Sequence, residues 1–221
     1  MSLVSVGPQG GRIHPVLFNW LGVLSVRWVL FPKRLPASVV EHLGSAPPME
    51  VYRLKSWKPR AQIIERSRVF ASHNELFTDS LGGTFDVSHE LALHDPMLAL
   101  TSARITAGAG DTPAGDARIV IDRSDEVVIE TRTTRESWLF LADTYYPGWG
   151  AQIDGQPTPN ARANVAFRAV AVPAGAHRIT FRYEPPTLGR TLTVGASIVW
   201  ALCAVALIYI GRSFHTRRRR A

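Results

Sequence analysis

The feature that most limits what this chain can fold into lies near its C-terminus. Residues 191–211 read TLTVGASIVWALCAVALIYIG, twenty-one positions without a charged side chain. At a rise of 1.5 Å per residue such a segment extends roughly 31 Å as a helix, the thickness of a bilayer's hydrocarbon core. A helix buried in a soluble core is the competing reading, but core helices of this length carry a polar face. The expectation is one transmembrane helix over 191–211, with Tyr209 near an interface. Arg178, Arg182 and Arg190 precede the segment, whereas Arg212, Arg217, Arg218, Arg219 and Arg220 crowd the ten residues after it. Basic residues stay on the cytoplasmic side. The bias therefore predicts a cytoplasmic tail over 212–221 and a globular part outside the membrane.

This placement changes how the charge is read. The chain's net charge is +7, and five of those charges follow the apolar segment, which leaves +2 for everything before it. No stripe of basic and aromatic residues of the kind nucleic-acid modules use is present, so nucleic acid is not an expected partner. The single cysteine, Cys203, sits inside the apolar segment, which excludes a disulfide framework and a cysteine zinc site. Residues 1–11 show no basic start followed by an apolar core, as a secretory signal would. Two topologies stay open: a last span preceded by helices outside this chain, or a tail-anchored protein.

The remainder reads as mainly β. Residues 1–107 are expected to form a small α/β subdomain. Within it, residues 15–31 (PVLFNWLGVLSVRWVLF) suggest a short helix followed by a buried strand, with a second membrane span as the alternative. Residues 32–48 are Pro-rich and read as a linking stretch. Strands are expected over 50–54 and 61–65, a helix over 72–81 with Ser72 as N-cap, and extended chain over 85–93. The loop GAGDTPAG at 108–115 marks a subdomain boundary. Residues 116–188 are expected to be an antiparallel β-sandwich. In DEVVIETR, Val127 and Ile129 share a face. SWLFLAD (137–143) is apolar on both faces, as a central strand requires. Asp154-Gly155 is a hairpin signal, residues 164–172 read as a strand, and Ile179, Phe181 and Tyr183 alternate with Arg178, Thr180 and Arg182.

Several of these segments resemble one family. Tyr146, Pro147, Gly148 and Trp149 form a turn motif, followed by the Asp154-Gly155 hairpin, Asn164 in its strand, Pro173, Gly175 and His177 in a second turn, and Tyr183 and Pro185 leading into the apolar helix. This series resembles the C-terminal region of the YfhO-like family of bacterial multi-pass membrane proteins, as do LFNWLGVLSVRWVL and VYRLKSWKPRAQIIERSRVF upstream. Members of that family look like lipid-linked-sugar glycosyltransferases that decorate cell-envelope polymers, with catalytic carboxylates between early transmembrane helices. The resemblance implies an extracytoplasmic C-terminal module in the cytoplasmic membrane of a bacterium. Its implied partners are an envelope glycan or lipid-linked sugar, and a multi-pass membrane subunit or an N-terminal part outside this chain. It does not imply that this chain alone catalyses a reaction.

The candidate glycan-binding residues are Tyr145, Tyr146, Trp149, Arg162, Asn164 and Arg168. The two tyrosines and Trp149 offer flat faces that suit the C–H face of a sugar ring, but a tryptophan after a Pro-Gly turn also serves as a core plug. Arg162 and Arg168 near Asn164 form either a polar patch for glycan or phosphate or a solvated strand face. Asp143 and Asp154 could pair for glycoside chemistry; the simpler reading is a strand end and a hairpin residue. The seven histidines are scattered and His89 and His94 lack ligand spacing, so no metal and no cofactor is expected.

Overall fold

The structure, a computed structural model, describes residues 4–7, 10–110, 112 and 114–184. The apolar segment 191–211 and the basic tail 212–221 lie outside the described residues. Among the described residues, no helix is long and apolar enough to cross a membrane. The chain begins with a hairpin, β1 (Val4–Gly7) and β2 (Gly10–Ile13), and helix α1 (Val16–Val23). Then β3 (Trp28–Phe31), β4 (Val40–Ala46) and β5 (Met49–Leu54) make an antiparallel sheet in the order β3-β5-β4. The expected helix-then-strand reading of 15–31 thus takes shape as α1 and β3, but β3 is not buried. It is an edge strand with one covered face, and Trp28 and Leu30 are 49% and 59% exposed. Residues 32–48 are more than a link, because β4 lies within them.

The next elements contribute three strands and two helices to the first part of a mixed sheet and its cover. They are β6 (Ala61–Ile64), β7 (Arg66–Val69), α2 (His73–Gly82), β8 (Glu90–Leu93) and, after a 3-10 turn, α3 (Ala99–Ala107). Ser72 caps α2: its hydroxyl accepts from Glu75 N at 3.2 Å, satisfying a first-turn donor. β7 and β8 run parallel and are linked by α2, the crossover that parallel strands need. Beyond loop 108–115 follow β9 (Gly115–Asp122), β10 (Glu126–Thr133), β11 (Ser137–Thr144), β12 (Trp149–Ile153), β13 (Gln156–Thr158), β14 (Ala161–Ala163), β15 (Phe167–Val172) and β16 (Gly175–Tyr183). Strand dominates, and among the described residues all pairings but that of β7 with β8 are antiparallel.

Two sheets organise these strands. One has the order β6-β11-β15-β14-β8-β7, the other β13-β12-β16-β10-β9. The first draws strands from both sides of loop 108–115, and the unit they form ends at Tyr183. β11 explains why. Its side chains alternate, and both faces are apolar. Leu139 and Leu141 join Val127, Ile129, Val170, Ile179 and Phe181 in a core that both sheets contribute to. Trp138 and Phe140 join a second core with Trp20 and Val23 of α1, Leu76 of α2 and Ile105 of α3. A strand that is apolar on both faces needs cover on both faces. The second sheet supplies one cover and the helices the other.

Locally, Asp154 and Gly155 turn β12 into β13 with φ of 50° and 83°, the two positive values that a type I′ hairpin requires. Residue 164 departs from the expected strand. Asn164 and Val165 also have positive φ, 45° and 77°, and occupy the turn between β14 and β15. Asn164 N donates to Ala92 O at 2.8 Å and its Oδ1 accepts from Ala92 N at 2.9 Å. Asn164, 1% exposed, therefore extends the β14–β8 pairing past its single bridge.

Candidate functional site

The alternation that fills the inter-sheet core runs out at one end of it. On β11 the inward series Leu139, Leu141 continues to Asp143. On β15 the series Val172, Val170 continues to Arg168. On β16 Ile179 and Phe181 lead to Tyr183, and on β12 Ile153 and Ala151 lead to Trp149. Period-two geometry thus stacks two polar and two aromatic residues at the open end of an apolar layer. The pairing of β11 with β15 is interrupted between Leu141 and Thr144, an irregularity that re-aims the strand end carrying Asp143.

Arg168 is the centre of this end. It is 3% exposed, and its guanidinium carbon lies 4.0 Å from the Trp149 ring centroid and 5.4 Å from that of Phe181. Its Nη2 donates to Asp143 Oδ2 at 3.3 Å, and its Nε to Asp143 O at 3.5 Å. Asp143 is held more tightly by Arg60. Arg60 Nε and Nη2 donate to Oδ1 and Oδ2 at 2.7 Å each, a bidentate fork, while its Nη1 donates to Asp122 at 2.6 Å. The chain Asp122–Arg60–Asp143–Arg168 crosses from β9 in one sheet to β15 in the other. Burial pushes the Arg168 guanidinium below its ordinary range, Asp143 opposes that shift and Arg60 adds to it. Arg60 is shifted up, chiefly by its bonds to Asp143. Nη1 of Arg168 is buried and has no partner among the described residues.

Above this network lies an open cleft of about 650 Å³, walled by Tyr146, Trp149 and Tyr183 and floored by Asp143 and Arg168. The turn 146–149 aims its aromatics. Trp149 N donates to Tyr146 O at 3.3 Å, with Pro147 second and Gly148 at φ 102° third, the residues a type II turn selects. Asn160 Nδ2 donates to Trp149 O at 3.1 Å and steadies the start of β12. The Trp149 and Tyr183 centroids are 5.6 Å apart, those of Tyr146 and Tyr183 6.4 Å. Trp149 is half-buried, so it packs against the core edge and also walls the cleft.

The structure thus gathers Tyr146, Trp149 and Arg168 in one place. Tyr145 is 37% exposed beside them and does not line the cleft. Arg162 is exposed on β14, and Asn164 is buried in its turn against β8; neither lines the cleft. Sequence reasoning missed Arg60, Asp122 and Tyr183 as neighbours of this site, and took Asp143 for a strand end. The inward parity of Leu139 and Leu141 was the available signal for Asp143; Arg60 precedes its strand in a loop and carried none. Asp143 and Asp154 line different depressions. Asp154 instead accepts from Arg178 N at 2.8 Å and meets His177 Nδ1 at 2.7 Å, which links the two turns at 154–155 and 173–175. That contact holds the Asp154 carboxyl below and the His177 imidazole above their ordinary values. Among the described residues no cluster of three or more metal-ligating side chains occurs.

Residues 113–195 match the family described as bacterial membrane protein YfhO. No curated protein and no solved structure matches the chain.

Proposed function

We propose, from the match of residues 113–195 to the family of bacterial membrane protein YfhO, that the chain is an extracytoplasmic module that holds a saccharide for lipid-linked-sugar glycosyl transfer in the cell envelope. In this reading the two sheets form a β-sandwich, residues 191–211 cross the cytoplasmic membrane once, and residues 212–221 lie in the cytoplasm. The observation that carries the saccharide reading is the wall of Tyr146, Trp149 and Tyr183 standing directly on the Asp143–Arg168 network. Aromatic faces pack on sugar C–H surfaces, and fixed charged groups below them orient hydroxyls. The module is read as non-catalytic by itself. Both oxygens of Asp143 are engaged by guanidinium groups, and a carboxylate clamped in that way is a poor proton shuttle.

The test is calorimetric titration of the full chain, in nanodiscs, with oligosaccharides released from bacterial envelope polymers. Wild type is expected to bind, and Trp149→Ala to weaken binding at least tenfold. Equal binding by wild type and Trp149→Ala would remove the cleft as the site. A second reading, docking to a membrane subunit, is favoured by the exposure of Trp28 and Leu30 on β3, with Trp57 at 37%. Co-purification of a multi-pass partner from membranes, lost in a Trp28→Ser, Leu30→Ser variant that still binds glycan, would support it.

A further inference from the structure

We propose that the saccharide held in this cleft carries an oxyanion, a carboxylate or a phosphate, and that Arg168 donates to it through Nη1. This rests on the saccharide reading and specifies its substrate class. Three observations carry it. First, the charged side chains lining the cleft are Arg60, Arg123, Arg168 and Asp143, an excess of guanidinium over carboxylate. Second, Arg60 and Arg168 share the one carboxylate of Asp143, and Arg60 holds it at 2.7 Å while Arg168 reaches it only at 3.3 Å. The other partner of Arg60, Asp122, is 55% exposed, and the ion pair of Arg123 with Glu126 is long, 3.8 Å. Third, Nη1 of a guanidinium that is 3% exposed has no acceptor among the described residues. An unmet N–H on a buried charged group is costly to keep, and a guanidinium edge matches the two oxygens of a carboxylate or phosphate.

The geometry also assigns Trp149 a second part. Its ring lies 4.0 Å above the Arg168 guanidinium and covers it. Entry of the anion requires the indole to shift off the guanidinium while its ring stays in the cleft wall, where it packs on the sugar beside Tyr183. In the resting protein the indole face shields the cation, a cation–π contact that substitutes for the missing anion.

The experiment uses the full chain in nanodiscs of zwitterionic lipid. Three probes are titrated by calorimetry: a neutral hexose oligosaccharide, a uronate oligosaccharide of equal length, and a sugar phosphate. Each titration is run at low and at high salt. The acidic probes are expected to bind at least tenfold tighter than the neutral one, with the advantage shrinking as salt rises. In Arg168→Lys, which keeps the charge and loses the fork, the acidic probes are expected to lose at least tenfold more affinity than the neutral one, and an equal loss for all three probes overturns the proposal. If that variant does not fold, the wild-type comparison decides alone. Equal affinity for neutral and acidic probes overturns the proposal and leaves the saccharide reading standing. Binding of none of the probes overturns both. An anion effect that appears only when the bilayer contains phosphatidylglycerol also overturns the proposal, because it assigns the anion to a lipid headgroup.

Discussion

Replacing Asp143 by Asn tests the network that closes this end of the two sheets. The amide keeps the size of the carboxylate and removes its charge. Arg60 keeps Asp122 at 2.6 Å and is 32% exposed, so solvent screens much of its loss. Arg168 has no such reserve. Its side chain is 4% exposed, and Asp143 is its only carboxylate partner among the described residues. Removing one partner of a buried ion pair costs about 3–5 kcal/mol, because an uncompensated charge stays inside. The 3.3 Å separation and the 17% exposure of Asp143 place this pair at the lower end, about 3 kcal/mol. In a unit of this size each kcal/mol lowers Tm by about 2–4 °C, so a fall of about 6–12 °C is expected. The assay is thermal and urea unfolding of the full chain, followed by near-ultraviolet circular dichroism. Glu41→Gln is the control, because its pair with Arg53 is about half exposed on both sides and is worth under about 1 kcal/mol. Adding Arg168→Met to Asp143→Asn removes the stranded charge and is expected to restore part of the loss. A loss in Asp143→Asn no larger than in the control, or a further loss in the double variant, would refute the reasoning.

Three further outcomes follow from other contacts. The Asp154–His177 contact makes stability depend on pH in two directions. Asp154, lowered from 3.8, contributes above that value and loses its contribution as pH falls through its folded pKa; His177, raised from 6.5, contributes below that value and loses its contribution as pH rises through its folded pKa. The stability difference between wild type and His177→Gln is therefore greatest between those two ordinary values and shrinks on either side, as urea titrations across the range would read; a flat difference contradicts it. Asn164→Gly keeps the positive φ but removes the Oδ1 acceptor from Ala92 N, with an expected cost of about 1–3 kcal/mol and faster amide exchange at Ala92. Ser72→Ala removes the cap of α2 and is expected to cost about 1 kcal/mol by the same unfolding assay, a loss that Ser72→Asp does not produce.

Much of the fold was legible before the structure, and for identifiable reasons. Ser72 as an N-cap announced a helix start, and Asp154-Gly155 announced a hairpin, because both signals are local backbone chemistry. Alternation along 125–132 and 178–183 announced strands, and the apolar residues on both faces of 137–143 announced a central one. The strands β4, β7 and β14 were not legible. They are polar on one or both faces, and they exist because a neighbouring strand offers a row of unpaired backbone groups. Helix α3 also escaped, because its weak amphipathic pattern buries only Ser102 and Ile105.

The site divides in the same way. The sequence alone determined that residues 146–149 turn, that Trp149 and Tyr146 stand at that turn, and that Asp143 and Tyr183 each end a strand. It also determined that the chain carries an apolar segment of membrane-spanning length over 191–211. Only the tertiary structure decided which strand ends meet. Pairing across β11, β15 and β6 brought Asp143, Arg168 and Arg60 together over 25 and 83 residues of chain, and the facing sheet laid Trp149 over them. It also left Asn164 and Arg162 outside the site: Arg162 pairs with Arg168 across β14 and β15 but is exposed and does not line the cleft, and Asn164 is bound to Ala92 of β8. Alternation along a strand is local and can be read from spacing; register and facing between strands are long-range choices, made where burying both faces of β11 is most complete.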